Sequence, residues 1–262
     1  MLFRTDDGVS LHYLDEGQGA PVLLLHGFPL HAESFRPQID ALSKRYRFLV
    51  PDHRGFGRSG LAPGQEVTEM SQIARDALAL LEHLRIPAAV IGGVSMGGYA
   101  AMALLRHDPG RVRGLVLADT RAIEDNAAGK KRREELARAT LERGSQVLVD
   151  AFLPQQLSAS ASPALRQQVG EMMAKCPPLG AAAALRGMAA RQDGQDILAR
   201  YGGPALIVVG EKDSLTPVEN SSQMFKLMSG AKLVVIPGAG HLSNMEAPEA
   251  FNRSLDDFLS GL

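Results

Sequence analysis

The stretch Ala88-Ala89-Val90-Ile91-Gly92-Gly93-Val94-Ser95-Met96-Gly97-Gly98 governs how the rest of the chain is read. Ala88 to Ile91 is a short apolar run suited to a buried parallel strand, and Gly97 to His107 carries a helical pattern. Ser95 therefore falls in a tight strand-to-helix turn. Gly93 and Gly97, two residues either side of it, remove side chains that would collide across so sharp a turn, and Gly98 lets the helix start close to the sheet. Such a turn presents a serine hydroxyl in the open, beside the backbone N–H groups of a helix N-terminus. The hydroxyl is a poor nucleophile at neutral pH, so the presentation has a chemical use only if a base stands within reach. By itself the five-residue pattern also describes a plain small-residue turn, and its partners must be sought elsewhere in the chain.

Working outward, short apolar runs recur at Val22 to Leu25, Phe48 to Val50, Leu115 to Ala118, Ala205 to Val209 and Leu233 to Ile236. Helical patterns lie between them, as at Thr68 to Leu84, where Met70, Ile73, Ala77, Leu80, Leu81 and Leu84 make one apolar stripe. The alternation predicts an α/β domain with a mostly parallel central sheet flanked by helices, and the alternating Ser10 to Leu14 predicts an antiparallel edge at its start. From Arg121 to Tyr201 no convincing strand appears. The expected organisation is a core of residues 1–120 and 202–262, with residues 121–201 a helical lid inserted after the sixth strand. The mixed charges of Lys130 to Glu135 read as a solvated helix face without function.

The loops after the strands supply the partners. His241 follows the last strand across the turn Pro237-Gly238-Ala239, which puts it at the C-terminal edge of the sheet, where open α/β sheets bind ligands. It is the expected general base. Asp213, after the strand Ala205 to Val209, reaches the same edge and would hold the imidazole in the correct tautomer. Asp119, at the end of Leu115 to Ala118, is the rival acid. A tetrahedral acyl-transfer intermediate needs donors aimed at its oxyanion, and the N–H groups of Phe28 and Met96 are placed to serve, whereas Pro29 has no N–H. His26 reads as a buried brace of that loop, and Cys176 as a spectator thiol.

These residues resemble the α/β-hydrolase superfamily over nearly the whole chain. The likeness lies in His26-Gly27-Phe28-Pro29, Asp52-His53-Arg54-Gly55-Phe56-Gly57-Arg58-Ser59, Gly93-Val94-Ser95-Met96-Gly97-Gly98, Gly210-Glu211-Lys212-Asp213 and Gly238-Ala239-Gly240-His241. The resemblance implies the α/β-hydrolase fold, a chiefly structural role for Asp52, His53 and Arg54, and a departure at Val94, where many relatives carry histidine or glutamine. The segments Leu117 to Arg121 and Gly187 to Arg191 look like the branch of esterases and 3-oxoadipate enol-lactonases, and Phe28-Pro29-Leu30 resembles the oxyanion loop of cofactor-free haloperoxidases. In that branch a substrate carboxylate needs a cationic partner, for which Arg121 and Arg191 are the candidates.

The remaining expectations are exclusions. A net charge of -1 offers no field for nucleic acid or anionic lipid, and no apolar stretch has the length of a membrane span, so the expected partner is a small molecule, which the serine chemistry makes an ester or lactone. One cysteine, and a start without an apolar run, point to the cytoplasm. No histidines are spaced as zinc ligands, no phosphate loop is present, and no cofactor is expected. The reaction read from these residues is hydrolysis of a small carboxylic ester or lactone through an acyl-enzyme on Ser95. The alternatives are an enol-lactonase or carbon–carbon bond hydrolase and, from another class, a ligand receptor that retains the triad.

Overall fold

Strand pairing decides where the loops meet. In the computed structural model, which describes residues 1–262, eight strands form one sheet: β1 Leu2–Arg4, β2 Ser10–Gly17, β3 Ala20–Leu25, β4 Tyr46–Pro51, β5 Ala89–Val94, β6 Val112–Ala118, β7 Ala205–Gly210 and β8 Ala231–Ile236. Their spatial order is β1-β2-β4-β3-β5-β6-β7-β8, antiparallel over the β1/β2 and β2/β4 pairs and parallel elsewhere. Strand order reverses between β3 and β5, the crevice where such sheets bind ligands. The edges are β1 and β8, so the alternating segment at Ser10 lies one strand in from the β1 edge. Only Phe3 of the three β1 residues is buried, too short a signal for periodicity to reveal.

Along β3, Val22 and Leu24 belong to one apolar cluster and Leu23 and Leu25 to the other, so both faces of the sheet are covered. That double burial is why the run reads as continuously apolar, and each such side chain contributes about 1.5–3 kcal/mol when fully buried. The covering helices are α1 Arg36–Leu42, α2 Met70–His83, α3 Met96–His107, α4 Ala127–Arg143, α5 Gln146–Gln156, α6 Pro163–Ala174, α7 Pro178–Ala189, α8 Gln195–Arg200, α9 Val218–Leu227, α10 Ser243–Glu246 and α11 Pro248–Leu259. Five of them, α4 to α8, fall between β6 and β7. Helices α4 to α7 pack on one another, whereas α8 lies against α3 and α9 on the flank of the sheet. Small residues seat α7 on the core: a Cβ at Gly180 would stand 1.9 Å from the Gly55 carbonyl oxygen, and one at Gly187 would stand 1.7 Å from that of Thr68. No helix is long and apolar enough to cross a membrane.

The loop after β4 is a scaffold. The Asp52 carboxylate accepts the N–H groups of Ala32 at 2.8 Å and Arg58 at 2.9 Å and contacts His12 Nδ1 at 2.9 Å. Arg54, fully buried, donates Nε to Asp76 at 2.7 Å and Nη1 to Asp7 at 2.9 Å, so its charge is paired rather than free to meet a ligand.

Candidate active site

Pairing of Leu25 with Gly93 aligns the ends of β3 and β5, so the loop after one and the turn after the other rise side by side. Ser95 sits on that turn at φ 53° and ψ −113°, a conformation costing about 1–3 kcal/mol for a residue with a Cβ. The surroundings hold it there. Ser95 N–H donates to the Ala118 carbonyl at 2.9 Å, and the Ser95 carbonyl accepts the Gly98 N–H at 2.9 Å and the Thr120 hydroxyl at 2.8 Å. A Cβ at Gly93 would stand 2.1 Å from Gly97 backbone atoms, and one at Gly97 would stand 1.9 Å from the Leu25 carbonyl oxygen. Both glycines are therefore required by close approach, and the half-exposed hydroxyl of Ser95 is left facing outward.

His241 bridges to it. Its Nε2 stands 2.8 Å from Ser95 Oγ and its Nδ1 stands 2.8 Å from Asp213 Oδ2. Asp213 Oδ1 accepts the N–H groups of Leu215 at 2.8 Å and Thr216 at 2.9 Å, so the carboxylate is immobilised and Oδ2 is directed at the imidazole. Burial opposes ionisation of Asp213, but the charge and hydrogen bond of His241, joined by the Thr216 donors, prevail and hold its carboxyl below the ordinary range. Burial likewise opposes the imidazolium of His241; the Asp213 charge and hydrogen bond prevail, and its pKa lies above 6.5.

Asp119 lies nearby and is also buried, but its contacts differ. Its Oδ1 accepts the Gly210 N–H at 2.9 Å, and its Oδ2 accepts the Ser243 N–H at 3.1 Å and the Ser243 hydroxyl at 2.6 Å. It ties the end of β6 to β7 and to the loop after His241. Burial, then the Asp213 charge, push its carboxyl up to about 7.

Phe28 N–H donates to no protein acceptor, and Met96 N–H, at the first position of α3, has no intrahelical one. Both amides are available to an oxyanion. His26 braces the loop between them: its Nδ1 contacts the Gly27 carbonyl at 3.0 Å, its Nε2 accepts the His53 N–H at 3.0 Å, and its ring stacks on that of His53 at 3.8 Å. Those roles require one neutral tautomer, and burial keeps the ring neutral by lowering its pKa to about 4.

Ser95 and His241 open on a cavity of about 220 Å³, walled by Phe28, Tyr99, Leu136, Phe152, Leu185 and Met188 and carrying Arg121, Arg132 and Arg133. The two arginine expectations part here. Arg121 lines this cavity and pairs with Asp125. Arg191, the other candidate, does not line it: its guanidinium stacks 4.3 Å from the centre of the Tyr99 ring, bonds Asp125 at 2.8 Å and donates to the carbonyls of Met188 and Ile123. It lines a separate cavity of about 280 Å³ on the far side of Tyr99. Conversely, the charged run at Lys130, read as solvated, sends Arg132 and Arg133 to the rim of the Ser95 cavity. Cys176 is buried away from it in the lining of a third cavity.

Thr216 was not singled out from the sequence. Its hydroxyl donates to Asp213 Oδ2 at 2.7 Å. The signal was there, because aspartate followed three residues later by threonine and then proline marks a side-chain-capped turn. Thr216→Val keeps the branched shape and deletes one donor. It is expected to lower kcat/KM about three- to tenfold and to raise the pKa of the acid limb of its pH profile, since a less solvated Asp213 holds the imidazolium proton more tightly. A pH–rate profile of the variant checks both.

A family model described as the alpha/beta hydrolase fold matches residues 20–248. The chain belongs to that family. Among curated hydrolase-fold relatives, the 3-oxoadipate enol-lactonase 2 of Acinetobacter baylyi is 28% identical over 257 residues, covering 96% of this chain and 94% of its own. Among solved structures, a malate-bound thermophilic esterase from Thermogutta terrifontis is 36% identical with a TM-score of 0.95, covering 99% of this chain and 96% of that one. The enol-lactonase from Burkholderia xenovorans LB400 is 27% identical with a TM-score of 0.88, covering 96% and 97%. The chain is thus an α/β-hydrolase-fold protein whose relatives include esterases and lactonases, and a hydrolase of that general kind.

Proposed function

We propose that the protein hydrolyses a small carboxylic ester or lactone through an acyl-enzyme on Ser95. The observation that carries this reading is the hydrogen-bonded chain from Ser95 Oγ through His241 to Asp213, opening on a cavity beside two amides free to donate. Ser95 Oγ attacks the carbonyl carbon while His241 Nε2 takes its proton. Asp213 stabilises the imidazolium, and the Phe28 and Met96 N–H groups receive the oxyanion. Collapse of the tetrahedral adduct breaks the bond to the leaving oxygen, which takes the proton from His241. Water then adds to the acyl carbon as His241 accepts its proton, the acyl–serine bond breaks, Ser95 Oγ takes that proton back from His241 and the acid leaves. The test is labelling by a fluorophosphonate together with turnover of p-nitrophenyl acetate. One label per chain on Ser95 and many turnovers support the enzyme; tight ligand binding with at most one slow turnover favours a receptor instead.

The charge around the cavity supports a substrate carrying a carboxylate. Three arginines reach it, and the one acid among them, Asp125, is already shared with Arg121, Arg133 and Arg191. Arg132 has no carboxylate partner. Replacing Arg121 and Arg132 together by methionine is expected to raise KM for a monomethyl dicarboxylate about tenfold or more, as loss of a charge-assisted hydrogen bond implies, with a smaller effect on the matching neutral methyl ester. Steady-state kinetics on the two substrates decides it. An enol-lactonase is the member of this class that the charge favours over a plain neutral esterase.

A further inference from the structure

Where α5 ends, Gln156, Leu157 and Ser158 touch both loops that build the site. The Gln156 side chain, 2% exposed, donates Nε2 to the Phe28 carbonyl at 3.1 Å. Its own carbonyl accepts the N–H of Leu242, next to His241, at 3.0 Å. The Glu246 carboxylate accepts the N–H of Ser158 at 3.0 Å and of Gly240 at 2.9 Å, tying the same segment to the other neighbour of His241. Contact is so close that a Cβ at Gly240 would stand 2.5 Å from Ser158 N.

The Gln156 amide is used at one end only. Its Oε1 is buried and meets no donor, although buried polar atoms are nearly always bonded. Flipping the amide would set that oxygen against the Phe28 carbonyl, so the side chain is retained for the Nε2 bond at the expense of the other end.

We propose that Gln156 is a positioning residue: it holds the Phe28–Pro29 peptide, and with it the Phe28 N–H one Cα away, in the orientation that receives an oxyanion. The helical segment between β6 and β7 must then be seated at this point for the site to be assembled. The proposal rests on the ester-hydrolase reading above.

Gln156→Met preserves length and removes the donor. Its kcat on p-nitrophenyl acetate is expected to fall about ten- to hundredfold with KM within threefold, since a displaced oxyanion donor acts on the transition state and not on substrate capture. Affinity for phenylboronic acid, which captures the serine oxygen as a tetrahedral adduct, should weaken by a similar factor. Gln156→Glu, which turns an ionised carboxylate toward the Phe28 carbonyl, should lose more, and it carries the test if the methionine variant does not fold. Unchanged kcat and boronate affinity in the folded variants overturn the proposal. So does a fall in fluorophosphonate-titrated sites with normal kcat per site, the mark of a merely structural residue. Failure of the ester-hydrolase reading is separate, since it shows as wild-type protein without Ser95-dependent turnover.

Discussion

Ser95→Ala is expected to lower kcat/KM for p-nitrophenyl acetate by about four to six orders of magnitude while leaving the melting temperature within a few degrees. The loss is large because no other nucleophile can take the place of Ser95. Cys176 is the only thiol, lies outside the Ser95 cavity, and has its pKa pushed up to about 12 by burial, which leaves no useful thiolate at neutral pH. The stability effect is small because Ser95 Oγ bonds only His241, while the backbone contacts that hold the turn are unchanged by the substitution. A residual acceleration over water is expected from the two amides and from binding. Steady-state kinetics with thermal melting checks both parts, and a variant that turns over within tenfold of wild type would remove Ser95 from the chemistry.

Asp213→Asn is expected to lower kcat/KM about 10³- to 10⁴-fold, against about tenfold or less for Asp119→Asn. The geometry separates the two acids. Asp213 Oδ2 stands 2.8 Å from His241 Nδ1, so replacing it by an amide leaves the ring without the acceptor that holds its tautomer. Asp119 bonds Gly210 and Ser243 and acts on His241 only through its charge. The pH dependence carries a definite sign. A general base must be neutral, and His241 has its pKa raised above 6.5, so wild-type kcat/KM should rise with pH through a midpoint above that value. Asp213→Asn removes the charge that does most to raise the His241 pKa, so the midpoint should move down; Asp119→Asn should move it down less, since the Asp119 carboxyl, pushed up to about 7, is only partly ionised there. For folding the same groups act oppositely: the raised pKa of His241 contributes stability that is present below 6.5 and lost as pH rises through the folded-state value, whereas the lowered pKa of Asp213 contributes stability present above 3.8 and lost as pH falls through its folded-state value. Full pH–rate profiles of the three proteins test the assignment of the acid.

Local patterns sufficed for the parts of the molecule governed by near neighbours. The apolar run before Gly92, the glycines flanking Ser95 and the helical stripe after it specify a strand, a turn and a helix within about twenty residues, because period and close approach are properties of a few consecutive residues. Repetition of that unit then leaves few topologies, which is why an α/β architecture with a mostly parallel sheet was legible, while the α/β-hydrolase fold was implied by the resemblance of the loop motifs. The loops after β7 and β8 were legible for the same reason: parallel strands end at one edge, so residues just beyond them share it.

Facing relations are another matter. Arg121 and Arg191 look equivalent in the chain, yet only Arg121 lines the Ser95 cavity, because Tyr99 and Asp125 capture the guanidinium of Arg191. The run at Lys130 looks uniformly solvated, yet helix α4 turns Arg132 and Arg133 toward the cavity while Glu134 pairs with Arg138 and Arg186. Asp119 and Asp213 both end strands, and only the packing of the loop after β8 sets one against the imidazole and the other against Ser243. The sequence by itself determined the strand–turn–helix unit at Ser95 and the sheet edge on which its partners stand, because backbone periodicity is local. Which acid meets His241 and which arginine meets the cavity were decided only by the tertiary structure, since the deciding contacts join residues from 28 to 146 positions apart whose orientation depends on how separate elements pack.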